Sequence, residues 1–286
     1  GKVDVFGGLT ITASLSLGVL AIVRAPEIGW ASTGTLVSAA VALGLLGLFL
    51  GIQVRRRDPL LPLSIFRTPN LASANVVMAL LGAAWVPMWF FLNLYLQQVL
   101  NFGPFAAGSS LLPMTVLMMI VMVVATERLV GRFGAKPMLV SGLVVMALGL
   151  GTLTFVSANG SFVGDVLVGS LIAAFGMSLA YIPAIMTAMS GAAAEDAGLA
   201  SGIVNSTYQV GSALGLAVMT AVASSAGADQ LGDMAALTDG YAAAFGGAAL
   251  IAVIAAVVAF TTIDRRRVDP APHDELTLVD RPVTAA

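Results

Sequence analysis

Eight runs long enough to cross a lipid bilayer follow one another along this chain: residues 5–23, 33–54, 71–98, 105–126, 137–157, 162–189, 197–223 and 241–263. A hydrocarbon core about 30 Å thick needs roughly 20 apolar residues in a helix. The runs contain one charged side chain, Asp165. Charged residues make up 10% of the chain, against about 25% in a soluble domain, which is too few to cover it with water-compatible surface. A transmembrane β-barrel would show alternating segments of about ten residues; these runs are longer and continuously apolar. Backbone groups in lipid must find partners within their own segment, so the runs are read as helices. The expected fold class is all-α, a polytopic membrane bundle of eight transmembrane helices.

Basic residues in short loops set the orientation of such a bundle. With eight spans, both termini and every second loop share one side. That side carries Lys2, Arg55, Arg56, Arg57, Arg67, Arg128, Arg132, Lys136, Arg265, Arg266, Arg267 and Arg281, leaving only Arg24 on the other. Merging or splitting one span destroys the segregation. The expectation is a multi-pass plasma-membrane protein with both termini cytoplasmic. Residues 1–54 then hold two spans set apart from the rest by 55–70 ("RRRDPLLPLSIFRTPN"), a cytoplasmic connector. Residues 71–263 form a six-helix bundle and 264–286 a polar, disordered tail. "PFAAGSSLLP" opens the fourth run and "AEDAGLASGI" the seventh, with Ala107-Gly108 and Ala197-Gly198 90 residues apart. A repeat of three spans must be inverted in the membrane, which is how many secondary transporters are built.

Polar residues inside the runs raise the question of function. In "AGLASGIVNSTYQVGSALGLA" (197–217), helical spacing gathers Ser201, Asn205, Tyr208, Gln209 and Ser212 within about 100° of one face. Leu199, Ile203, Val210, Leu214 and Val218 lie opposite, as a lipid face. Asn205 and Gln209 sit about 12–18 Å along the helix, near the midplane. Two readings stay open. One is a packing seam, supported by Gly198/Gly202 and Gly211/Gly215; the other is a polar cavity or moving interface. The third run carries Asn75, Gly82, Trp89, Asn93 and Gln97 along one stripe, with Trp85 close to it and Pro87 interrupting the hydrogen-bond ladder. Amides beside indoles suit an amphipathic ligand, so Asn75, Trp85, Trp89, Asn93 and Gln97 are substrate-cavity candidates. Met114, Met118 and Met122, with Met119 nearby, read as packing or as an adaptable pocket wall. Asp165, as an intramembrane carboxylate, is the proton-coupling candidate. Asn93 and Gln97 at a similar depth are its expected partners.

No enzyme is expected. The chain has no cysteine, its one histidine (His273) lies in the tail, and no Ser–Lys or paired-Asp arrangement occurs in a span. No cofactor, metal or nucleic-acid partner is expected; the lipid bilayer is.

"DPLLPLSIFR", "FFLNLYLQQVLNFGPFAAGSSLLP", "GRFGAKPMLVSGL" and "AGLASGIVNSTYQVGSALGLAV" resemble, in order, the C-terminal part of the fourteen-helix drug:proton antiporters (EmrB/QacA type) of the major facilitator superfamily. The resemblance implies a proton-coupled exporter of small amphipathic substrates, its partners being protons and a missing N-terminal six-helix half. The alternative is a non-transporting subunit or degenerate half-transporter. It further implies that residues 1–54 are two linker transmembrane helices between the halves, that the third and sixth spans line a central cavity, and that the face of 197–217 looks toward the opposing half. "TERLVGRFGAK" resembles the facilitator loop motif, with Arg128, Arg132, Gly134 and Lys136 in place. It departs from that motif at Gly131, where aspartate is usual, and at Glu127, where glycine is usual; Tyr208 stands where arginine is frequent.

The basic segregation makes the topology testable. In this cysteine-free chain, single cysteines replacing Ser64 and Gly160 are expected to react with an impermeant maleimide from opposite sides. Labelling of both from outside would refute the assignment.

Overall fold

A computed structural model describes residues 5–55, 65, 68–191 and 196–264. Most of the connector and all of the tail beyond Asp264 lie outside them. The described residues form eight long helices and no strand. They are α1 (Val5–Ile28), α2 (Thr33–Arg55), α3 (Leu71–Val99), α4 (Pro104–Phe133), α5 (Ala135–Phe155), α6 (Phe162–Met189), α7 (Ala197–Ala228) and α8 (Met234–Thr262). Seven are long and apolar enough to cross a membrane; in α1 the apolar stretch, Phe6–Ile22, is shorter. The expected eight-span count is therefore met in helices, but in only seven by length and hydropathy.

Helix ends differ from the apolar runs because capping, not hydropathy, decides where a helix stops. Helix α8 begins seven residues before the run at Tyr241, where the Asp233 carboxylate accepts hydrogen bonds from the Ala235 and Ala236 N–H groups at 3.0 and 3.1 Å. Helix α4 runs past Thr126 to Phe133, so Arg128 and Arg132 stand on a helix extension and not on an irregular loop. Gly134 ends it with φ 88°, a conformation costly for any residue with a Cβ, and its N–H closes on Val130 O at 2.7 Å. Four helices carry a π-helical turn: Tyr95–Val99, Val121–Thr126, Phe162–Leu167 and Ser224–Ala228.

Helix α3 is the hub, packed against α6, α7 and α8; α5 packs against α6 and α8. The paired helices keep their pattern when α3, α4 and α5 are exchanged for α6, α7 and α8. Thus α5 on α6 corresponds to α8 on α3, and α4 on α6 to α7 on α3. The α1/α2 hairpin touches this bundle mainly through α1 against α7.

Lipid supplies no hydrophobic force between helices, so close backbone approach has to supply packing energy. Two seams of small residues provide it. Between α3 and α7, a Cβ on Gly82 would lie 2.6 Å from Ser212 Oγ, and one on Gly211 would strike the Ala79 carbonyl. Between α5 and α6, a Cβ on Gly142 would lie 2.6 Å from Ala180 N, and one on Gly176 2.6 Å from Gly142 O. Behind these seams Met78, Leu81, Met88, Leu139, Leu143, Tyr241 and Phe245 are fully buried. Large apolar side chains of α2, α4 and α8 such as Leu43, Met119 and Phe260 stay exposed, as a lipid-facing surface requires.

Gly211→Ala is expected to lower stability by about 1–3 kcal/mol through overpacking. Gly44→Ala, with nothing within 4 Å of the new methyl, is expected to be neutral or mildly stabilising. Thermal unfolding in detergent reads the difference; equal melting temperatures would disprove the close seam.

Candidate functional site

The α3 stripe is divided by the packing. Gly82 lies under Tyr208 and Ser212 of α7. Asn75 is 5% exposed and Trp85 6% exposed. Asn75 Nδ2 donates to Leu71 O at 2.8 Å, while its Oδ1 is buried without a hydrogen-bond partner. Farther along α3, Trp89, Asn93 and Gln97 stay half-buried. Trp89 meets Trp85 edge-on at 6.3 Å, and Gln97 Nε2 donates to Asn93 Oδ1 one turn away. The first half of the stripe is thus helix packing, and only the second half is open.

Asp165 sits in the first turn of α6. Its Oδ2 accepts from Ser161 N–H at 2.7 Å, and Ser161 Oγ accepts from Gly164 N–H at 3.1 Å. This reciprocal pair closes the helix start as a capping box does. The expected partners Asn93 and Gln97 bond each other instead. The neighbour supplied by α3 is Tyr95, whose hydroxyl donates to Ser157 O at 2.7 Å. Gly160 is wedged between them: a Cβ there would lie 2.6 Å from Asp165 Oδ2 and 2.8 Å from Tyr95 Oη. A labelling cysteine on this loop therefore belongs at the exposed Asn159. Tyr95 and Gln98, whose Oε1 accepts from Tyr241 OH at 2.5 Å, lie off the stripe and escaped the periodicity argument. A buried tyrosine hydroxyl needing a partner was the available signal.

On α7, Ser201, Asn205 and Gln209 are exposed, Tyr208 is half-buried, and Ser212 is buried with its Oγ donating to Tyr208 O at 2.8 Å. Asn205 and Gln209 make no side-chain hydrogen bond among the described residues. The expected lipid face is corrected here. Leu199, Ile203, Val210 and Leu214 are half-buried, and of that set only Val218 is exposed. Leu199 and Ile203 pack against the buried core. Tyr181 of α6, which the sequence reading passed over, meets the Tyr208 ring edge-on at 5.6 Å. Of the methionine stripe, Met114 is buried, Met118 and Met122 are half-buried, and Met119 faces outward.

The basic motif forms no ion pair among the described residues. Arg128 donates to Val124 O at 3.3 Å, and the Arg132 guanidinium lies over the Phe133 ring at 5.3 Å. Lys136 donates to Ile263 O and stands 5.5 Å from the Phe260 ring. Ser73 Oγ donates to Thr262 O at 3.3 Å, and Asn70 Oδ1 accepts from Asp264 N–H at 2.9 Å. Three side chains from α5, α3 and the turn before α3 thus fasten the end of α8, satisfying groups a helix terminus leaves open. Among the described residues, no group of three or more His, Cys, Asp or Glu stands close enough to hold a metal ion.

The description of the Major Facilitator Superfamily matches residues 5–216 and again 126–285. The chain belongs to this superfamily. As a facilitator chain with membrane-length helices, it is a multi-pass membrane protein. It is 32% identical over 260 residues to the cephamycin export protein CmcT of Amycolatopsis lactamdurans, covering 90% of this chain and 52% of that protein. It is 32% identical to the multidrug resistance protein Stp of Mycobacterium tuberculosis, over 77% of this chain and 41% of that one. With the puromycin resistance protein pur8 of Streptomyces alboniger it shares 31% identity, over 87% and 52% of the two chains. This facilitator chain spans about half the length of the curated relatives it matches.

The geometry gives Asp165 a capping role that can be separated from proton chemistry. Asp165→Asn keeps an acceptor for Ser161 N–H, so unchanged stability is expected. Asp165→Ala is expected to lose about 1 kcal/mol of stability. Equal melting temperatures of the Ala variant and the unsubstituted chain would refute the cap.

Proposed function

We propose that this chain is the C-terminal portion of a fourteen-helix, proton-coupled exporter of small amphipathic molecules, residing in the plasma membrane with both termini cytoplasmic. In this reading α1 and α2 link two halves, and α3 to α8 form one half from two inverted three-helix units. The observation that carries it is the exposed amide pair Asn205 and Gln209, roughly 12–18 Å along α7. Hydrocarbon offers an amide no hydrogen-bond partner, so such a face calls for protein or water against it. An N-terminal six-helix half, in the length by which the relatives exceed this chain, is the natural cover. The exchange pattern of helix pairs in α3 to α8 supports the inverted-unit reading.

The remaining roles follow from position. Trp89, Asn93 and Gln97 on the open part of α3 face substrate, while Asn75 and Trp85 support them from the packed part. Ser201, Asn205, Tyr208, Gln209 and Ser212 form the face against the opposing half. Asp165 is retained as the proton-coupling candidate. Arg128, Arg132, Gly134 and Lys136 hold the α4–α5 corner at the membrane surface. The relatives' names concern antibiotic export and resistance, which favours a transporter over an enzyme here.

The test uses the product of the whole reading frame. Cells expressing it are expected to extrude a fluorescent amphipathic dye in a protonophore-sensitive manner. Asn205→Leu together with Gln209→Leu is expected to cut that efflux about tenfold or more at normal membrane abundance, since a buried partner left unpaired costs about 1–3 kcal/mol. Full efflux in the double variant would reduce the face to passive packing. No efflux by the wild type, alongside stable association with another membrane protein, would favour a non-transporting subunit.

A further inference from the structure

The α6–α7 contact holds a feature that the stripes on α3 and α7 do not explain. These two helices meet over a short stretch, and there the half-buried rings of Tyr181 and Tyr208 stand edge to face, 5.6 Å apart at 78°. Tyr208 shares its turn of α7 with Asn205 and Gln209, three residues before and one after, and both amides are exposed. The Tyr181 hydroxyl has no hydrogen-bond partner among the described residues. An aromatic wall is therefore bordered by two amides and a hydroxyl whose hydrogen-bonding capacity is unspent.

The electrostatics narrow what could lie against this wall. Asp165 is the only charged side chain in α3, α6 and α7, and it is 16 residues from Tyr181, about 24 Å along α6. Among the described residues of these three helices, a cation brought here out of water would meet no nearby carboxylate to offset its desolvation, and ring faces alone attract it weakly. An anion would meet no arginine or lysine on these three helices. A neutral ring system with carbonyl or hydroxyl oxygens fits both features: ring stacks on ring, and its oxygens take up the amide and phenol groups.

We infer that Tyr181, Tyr208, Asn205 and Gln209 form a subsite, opening between this half and the opposing one, for an uncharged, flat aromatic group bearing hydrogen-bonding oxygens; the inference rests on the reading of the chain as part of an exporter. It assigns Tyr181 a specificity role and sets neutral aromatic molecules above lipophilic cations as ligands of this surface.

The probes are 1,8-dihydroxyanthraquinone, neutral and oxygen-bearing, and tetraphenylphosphonium, a cation without hydrogen-bonding groups. Binding of each to the full-length protein in nanodiscs is measured by equilibrium dialysis. The anthraquinone is expected to bind, with Tyr181→Leu and Tyr208→Leu each raising its Kd about tenfold. Tyr181→Phe, which keeps the ring and is the variant least disturbing to folding, is expected to raise it about two- to threefold through the lost hydroxyl. The Kd of tetraphenylphosphonium should not move in any variant. Absence of anthraquinone binding, an unchanged Kd in the leucine and phenylalanine variants, or equal losses for both probes would each overturn the subsite. Intact anthraquinone binding without efflux in cells would strike at the export reading and leave the subsite standing.

Discussion

Backbone-to-backbone approach at glycine holds this bundle together. Where water cannot drive apolar surfaces together, two helices gain from contact only if they come close enough for dense van der Waals packing. Gly82, Gly211 and Gly215 provide this between α3 and α7, and Gly142, Gly149 and Gly176 between α5 and α6. Each of these positions has backbone or a short side chain of the facing helix where a methyl group would go. Because the seams fix which sides of α3 and α7 meet, they also fix which polar groups are covered and which are left open. Everything said about the candidate site depends on that rotation of α7.

Polar side chains are consequently distributed by function of place. Hydroxyls and amides near helix ends are consumed as fasteners: Tyr95 to Ser157, Tyr241 to Gln98, Asn70 to Asp264, and Lys136 to Ile263. Tyr95, Lys136 and Asn70 thereby bond backbone groups just past helix ends, while Tyr241 and Gln98 satisfy each other. Away from the ends, many hydroxyls turn back to the carbonyl one turn earlier, as Ser178 and Thr187 do. Among the described residues, Trp89 on α3, Tyr181 on α6, and Asn205 and Gln209 on α7 keep side-chain polar groups without a hydrogen-bond partner. Lys136 illustrates the same economy in a motif residue, since its ammonium closes the end of α8 within this bundle.

Much of the architecture was readable from hydropathy because length and apolarity alone decide whether a helix can cross a bilayer. The windows at 33–54, 71–98 and 162–189 correspond closely to α2, α3 and α6. The errors lie where another force sets the boundary. Asp233 starts α8 before its apolar run, and Gly134 ends α4 after the two arginines, by capping chemistry that a hydropathy window does not register. At the site, periodicity put Asn75, Gly82, Trp89, Asn93 and Gln97 on one stripe, yet it could not say that α7 covers only the first part. Tyr181 was missed because nothing on its own helix repeats with it; its partner is on α7.

By itself the sequence determined the number and order of the long helices, the all-α class, and the polar faces on α3 and α7. Those follow from local composition and the fixed angular step of a helix, which need no knowledge of neighbours. Only the tertiary structure decided which face each helix turns to its neighbours. It left Asn205 and Gln209 open while half-burying Leu199 and Ile203, and it bound Asp165 into a cap and set Tyr181 against Tyr208. Those outcomes depend on how closely two backbones can approach, and that distance belongs to pairs of helices far apart in the chain.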